Sequence, residues 1–123
     1  MIAGQPPDLS VVLPMYRNRD TVVELYQRLC KVLEAAGIQF ELIFVDDACP
    51  QRSYEEIEPL TRTDNRVSLV VMEHNLGQND ALLAGFNCAD GKAVASMDAD
   101  LQDSPEALPL LYSALKPGVD VVF

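Results

Sequence analysis

The chain has 123 residues, 49% of them hydrophobic, and a formal net charge of −10. That length holds one domain with a real core and not two, and the composition is that of a globular chain rather than a disordered one. The acidic balance argues against nucleic-acid binding, which takes a basic patch, and any bound nucleotide would want a cation or a positive helix end beside it.

Residues 1–8 are Gly/Pro-rich and polar, lack the layout of a secretory leader, and are expected to be flexible. Residues 9–14 (LSVVLP) form a short, nearly continuous apolar run, as in a strand buried on both faces. Val22, Leu25, Tyr26, Leu29, Cys30, Val32 and Leu33 then recur at helical spacing, with Asp20 as the expected cap and Gly37 as the stop. Residues 40–45 (FELIFV) give a second strand running into Asp46-Asp47, and Ser53-Tyr54-Glu55-Glu56 reads as a capping box. A third strand, 67–72 (VSLVVM), is followed by the turn Asn75-Leu76-Gly77 and an apolar-rich helix over 78–88. Residues 93–97 (AVASM) form a fourth strand ending at Asp98, and Ser104-Pro105-Glu106 opens a further helix. Pro117-Gly118 stops it, and residues 119–123 start a fifth strand, so the expectation is a domain over 9–123 that is cut short at its C-terminus.

Alternating strands and helices predict a three-layer α/β/α fold with a mostly parallel, Rossmann-like sheet. No apolar run approaches the ~20 residues of a spanning helix. Cys30, Cys49 and Cys88 are odd in number, widely spaced and without a C-x-x-C pair, which fits a reducing cytoplasm rather than a disulfide or zinc framework. Cys30 and Cys88 fall on apolar helix faces and are expected in the core. The unpaired edge of the fifth strand invites a homo-oligomer.

Open α/β sheets bind ligands beyond the carboxyl ends of their strands. The residues delivered there are Pro14-Met15-Tyr16-Arg17-Asn18, then Asp46-Asp47, then Glu73-His74-Asn75, then Asp98-Ala99-Asp100-Leu101-Gln102-Asp103. Four successive strands thus send polar or acidic groups to one rim. Asp98, Asp100, Gln102 and Asp103 carry hard oxygen ligands suited to Mg2+ or Mn2+. Two carboxylates ~4 Å apart repel by roughly 4 kcal/mol at an effective dielectric near 20, which a divalent cation relieves. In an extended segment, residues 98, 100 and 102 share a side. A D-x-D triplet also occurs in solvated loops that cap a helix; the end of a buried strand, on one rim with Asp46, favours a site. A carboxylate of Asp46-Asp47 suits the N–H of a pyrimidine or guanine base, although the pair also suits a plain turn. His74 reads as a strand-end residue, and Arg17 and Arg19 as either phosphate contacts or surface charges.

The series VVLPMYRN, FELIFVDDACP, HNLGQNDALLAGF and SMDADLQDSPEALP resembles family 2 glycosyltransferases of the GT-A fold. Within them, D-A-D-L-Q-D-x-P-E is similar to the dolichyl- and polyprenyl-phosphate sugar transferases. The resemblance implies an inverting, metal-dependent enzyme of cell-envelope or glycolipid biosynthesis, with a UDP- or GDP-sugar donor and a polyprenyl-phosphate acceptor. It implies a cytoplasmic protein whose parent sits on the cytoplasmic face of a membrane. By the same resemblance Pro14 and Tyr16 line base and ribose, Asp46 binds the base, and Asn18, Asp47 and Gly77 belong to the nucleotide site. Asp98 lies near ribose and sugar, Asp98 and Asp100 carry the catalysis, and Asp98, Asp100 and Gln102 hold Mg2+ or Mn2+. Two departures stand out: Arg17-Asn18 replaces the usual Asn-Glu, and Ala48-Cys49-Pro50 stands where Gly-Ser is usual. The chain alone is expected to bind donor without turnover.

Other classes fit less well. A sugar-1-phosphate nucleotidyltransferase carries a Gly-rich basic loop after its first strand, unlike PMYRNRD. A phospho-acceptor receiver domain has its acids after the first and third strands, and a dinucleotide-binding domain carries G-x-G-x-x-G. A binding-only fragment remains compatible with the donor-site reading.

Overall fold

The computed structural model describes residues 5–115. Four strands, β1 (Leu9–Met15), β2 (Phe40–Asp46), β3 (Val67–Val71) and β4 (Ala93–Ser96), alternate with helices α1 (Val22–Ala35), α2 (Tyr54–Thr63) and α3 (Gln78–Cys88). A 3-10 turn, Pro105–Ala107, then leads into the short α4 (Leu108–Ser113). The strands lie in the order β3-β2-β1-β4, all parallel. The expected fifth strand at 119–123, its edge and the Pro117-Gly118 stop lie outside the described residues.

Alternation along the strands divides the core in two. Val11, Leu13 and Met15 of β1, with Leu42 and Phe44 of β2, face Leu25, Leu29 and Leu33 of α1 and Ile57 of α2. Val12, Ile43 and Val45 point the other way, against Ala81 of α3. The chain is therefore a three-layer α/β/α structure, as its pattern predicts. Helix α3 approaches the sheet closely because Gly85 has no side chain: a methyl group there would overlap Val12 Cγ1 and press to 3.2 Å from Val45 Cγ2.

The strand order also decides between sequence-based alternatives. A receiver domain places its third strand beside its first, in the order 2-1-3-4-5. Here β3 pairs with β2 and β4 pairs with β1, so the receiver reading is excluded by topology. Among the described residues no helix is long and apolar enough to cross a membrane.

Several local expectations give way to longer-range contacts. Pro7 and Asp8, within the segment expected to be flexible, accept the amides of Lys92 and Ala93, and the Asp8 amide donates to the Gln39 carbonyl at 2.8 Å. Helix α1 is preceded by Thr21 rather than capped by Asp20. Cys88, expected in the core, is exposed, and Cys30 is half-buried; Leu83 and Phe86 of α3 are exposed as well. The apolar residues of helix α3 are spread around its axis, with Gln78, Asn79, Asp80 and Asn87 among them, so its pattern does not mark which stripe is buried.

Candidate functional site

The chain runs outward from β1 to β2 to β3, then returns to the other side of β1 as β4. Loops leaving β1 and β4 diverge there, and the crevice between them is where open α/β sheets take ligands. A cleft of about 390 Å³ occupies this place. Pro14, Met15, Tyr16 and Asn18 line it from the end of β1, and Asp47 from the end of β2. Asn75, Gly77, Gln78 and Ala81 contribute from the approach and first turn of α3, and Asp98, Ala99 and Asp100 from the end of β4. Of the residues expected in a site, the structure thus gathers Pro14, Tyr16, Asn18, Asp47, Gly77, Asp98 and Asp100.

Asp46 and Asp47 diverge because successive strand residues point to opposite sides. Asp46 is fully buried and does not line the cleft. Its Oδ1 accepts the Cys49 amide and its Oδ2 the Tyr54 amide, each at 2.8 Å. It therefore does the capping that sequence assigns to Ser53, whose side chain makes no cap bond. Asp47 is 4% exposed, and its two oxygens accept the amides of Leu76 at 3.0 Å and Gly77 at 3.1 Å. That carboxylate ties the end of β2 to the entrance of α3, where Gly77 takes φ 99, and it sits at the positive end of the helix dipole.

After β4, Met97 and Ala99 turn inward while Asp98 and Asp100 face out. Gln78 Nε2 donates to Asp98 Oδ1 at 2.8 Å, which links α3 to the β4 loop across the cleft. Thr21 Oγ1 donates to the Ala99 carbonyl at 2.5 Å and fastens the same loop to the start of α1. The segment does not stay extended past Asp100. Leu101 adopts φ 63, and the Gln102 amide folds back to Asp100 Oδ1 at 3.0 Å. Gln102, expected to share a side with Asp98 and Asp100, is exposed and does not line the cleft. Among the described residues no three His, Cys, Asp or Glu side chains gather to hold a metal ion by themselves.

The β1–α1 loop is held from the β2–α2 loop. The Arg17 amide donates to Cys49 Sγ at 2.9 Å and the Asn18 amide to Ser53 Oγ at 3.2 Å. Burial pushes the Cys49 thiol up, but the Ser53 hydroxyl and the amides of Arg17, Ser53 and Gln51 outweigh it and hold the thiol below its ordinary value. Arg19 pairs with Glu55 at 2.7 Å and Glu56 at 3.1 Å, so it is not a free phosphate contact. Arg17 lies over the Tyr16 ring, 5.5 Å from its centroid. His74 is exposed in the turn after β3, outside the cleft lining. Sequence reasoning missed Gln78; its signal was its place at the first position of a helix that opens on the rim.

A parallel sheet with this strand order, and an acidic cleft at its switch point, defines a doubly wound α/β domain of the Rossmann-like kind. The model of glycosyl transferase family 2 matches residues 10–123, and the chain belongs to that family. It is 41% identical over 115 residues to the undecaprenyl-phosphate 4-deoxy-4-formamido-L-arabinose transferase of Edwardsiella ictaluri, covering 93% of this chain and 35% of that protein. The chain thus spans about a third of the length of this curated relative. The mannosyltransferase PcManGT of Pyrobaculum calidifontis, solved with GDP-Man and Mn2+, superposes with a TM-score of 0.71 at 21% identity, over 86% of this chain and 31% of that one. TarS of S. aureus, solved with UDP-GlcNAc, superposes with a TM-score of 0.66 at 24% identity, over 76% of this chain and 26% of that one. Both likenesses bear on the fold, which is GT-A.

Proposed function

We propose that this chain forms the donor-binding portion of an inverting glycosyltransferase that moves a sugar from a UDP- or GDP-sugar to a polyprenyl phosphate. The observation that carries this reading is the meeting of Asp98 and Asp100 with Tyr16, Asn18 and Asp47 around one cleft at the switch point. Support for the donor class comes from the nucleotide sugars in the complexes of PcManGT and TarS. Support for the acceptor comes from the undecaprenyl-phosphate named for the Edwardsiella enzyme.

The donor set fits a hard divalent cation such as Mg2+ or Mn2+, which one or two carboxylates and substrate phosphates commonly hold together. Asp98 and Asp100 would hold it; the exposed Gln102 is left outside. When bound, the cation supplies Lewis-acid neutralisation of the diphosphate leaving group. Pro14 and Tyr16 flank base and ribose, Asn18 presents an amide to them, and Gln78 keeps Asp98 turned toward the cleft. As the glycosidic bond breaks, the anomeric carbon takes on oxocarbenium character. The acceptor attacks from the opposite face, which inverts the centre. A polyprenyl phosphate is already an anion and needs no strong general base.

Cytoplasmic placement belongs to the same reading. So does the inactivity of the chain alone, since it spans about a third of the length of its relative. The test is calorimetric titration, in the presence of Mn2+, with UDP, GDP, ADP and the corresponding sugar conjugates, followed by a transfer assay with undecaprenyl phosphate. Binding of UDP or GDP but not ADP, without transfer, is the expected result. Equal binding of all three, or none, contradicts the donor assignment, and sugar transfer contradicts the inactivity.

A further inference from the structure

We propose that Cys49 and Ser53 act as positioning residues for the donor cleft, by clamping Arg17 in a left-handed backbone turn that sets Tyr16 and Asn18 in place. The inference rests on the donor-site reading of that cleft. Arg17 has φ 61 and is one of four non-glycine residues with positive φ among the described residues. Such a conformation costs free energy in a residue with a Cβ and persists only where its surroundings determine it.

Those surroundings are visible. The Arg17 amide donates to Cys49 Sγ at 2.9 Å, and the Asn18 amide donates to Ser53 Oγ at 3.2 Å. The two acceptors touch each other at 3.3 Å and are buried, at 5% and 0% exposure, so water does not compete for them. On the far side of the turn, Asn18 Oδ1 accepts the Tyr16 amide at 2.7 Å. The residues on either side of the turn, Tyr16 and Asn18, line the cleft, whereas Arg17 does not. The clamp is itself anchored, because Asp46 holds the Cys49 and Tyr54 amides on either side of it. Where the family resemblance has Gly-Ser, this chain has Ala48-Cys49, and its thiol accepts the Arg17 amide.

Four variants test the clamp: Cys49→Ala, Cys49→Ser, Arg17→Gly and the double variant Cys49→Ala/Arg17→Gly. Affinity for UDP and GDP with Mn2+ is read by calorimetry, and amide hydrogen exchange at position 17 by NMR, on chains whose melting shows them folded. Loss of one hydrogen bond predicts roughly 3- to 10-fold weaker nucleotide binding in Cys49→Ala. Cys49→Ser keeps an acceptor and retains most of the affinity. Glycine adopts the left-handed turn without strain, so Arg17→Gly restores most of what Cys49→Ala loses, which a merely structural role for the thiol does not predict. Wild-type affinity in Cys49→Ala, or no rescue in the double variant, overturns the proposal. If the wild-type chain binds neither nucleotide, the donor-site reading fails, and exchange still decides the clamp. Faster exchange at position 17 in Cys49→Ala, slow again in Cys49→Ser, upholds it; unchanged exchange overturns it.

Discussion

The carboxylate of Asp47, at the end of β2, accepts the amide of Gly77 at the entrance of α3 at 3.1 Å, and its second oxygen takes the neighbouring Leu76 amide at 3.0 Å. One nearly buried side chain thereby fixes where α3 begins and where Gln78 stands over the cleft. Hydrogen bonds to a charged group contribute about 1.5–3 kcal/mol each, and losing the acceptor strands its donors. Asp47→Ala should therefore destabilise the fold by about 2–4 kcal/mol in urea denaturation. A change within ±0.5 kcal/mol, as at ordinary surface positions, would show that the loop is held by something else.

Asp46, one residue earlier, serves the opposite side of the same strand end. Its oxygens are both occupied by backbone amides of the β2–α2 connection. Asparagine would turn an NH2 group against one of those amides. Asp46→Asn is predicted to cost about 1–3 kcal/mol, read as a lower denaturation midpoint with unchanged slope. Retention of full stability would mean that the carboxylate does not carry the start of α2.

Gly85 sets the distance between α3 and the sheet. Alanine there drives a methyl group into Val12 and against Val45, although alanine is the better helix former. Overpacking of this kind costs roughly 1–3 kcal/mol, against about 1 kcal/mol gained in propensity. Gly85→Ala is expected to lower the melting temperature, and a raised one would indicate that α3 can lift away without penalty.

Much of this was legible from the residues alone. Buried strands at 9–14 and 40–45, and helices with apolar spacing, led to the layered fold, because period and burial are local consequences of secondary structure. The rim was legible too, since the ends of parallel strands share one edge. What escaped was set by partners distant in sequence. Ser53 looks like a cap, yet Asp46 does that work across the loop while Ser53 holds the Asn18 amide. Gln102 looks coplanar with Asp98 and Asp100 until the left-handed Leu101 turns the chain. Cys88 looks apolar and internal because the apolar residues of α3 fall on every side of the helix and do not mark the outward stripe.

Acid should weaken the fold through Asp64. Hydrogen bonding from the Arg66 guanidinium, opposed by burial and aided by the Tyr26 hydroxyl, holds its carboxyl down at about 2 from an ordinary 3.8. The native value lies below the unfolded one, so the unfolded chain takes up the proton first. The contribution is complete above about pH 4 and is lost as pH falls toward 2. Its size is about 2 kcal/mol, at 1.36 kcal/mol per pKa unit. Wild type should exceed Asp64→Asn in stability by about that much at pH 6, with the gap closing by pH 2; a gap independent of pH would contradict the ion pair as its source.

The proposed donor site requires Asp98 and Asp100, which would hold a divalent cation able to neutralise the diphosphate of a nucleotide sugar. The most direct measurement is the calorimetric Kd for UDP and GDP across a Mn2+ titration, in wild type and Asp100→Ala. The account predicts that one nucleotide binds wild type in a Mn2+-dependent manner, and that Asp100→Ala loses at least the 10- to 100-fold in apparent metal affinity that outer-shell changes alone can cost. Nucleotide binding that ignores Mn2+, or that survives Asp100→Ala unchanged, would contradict it.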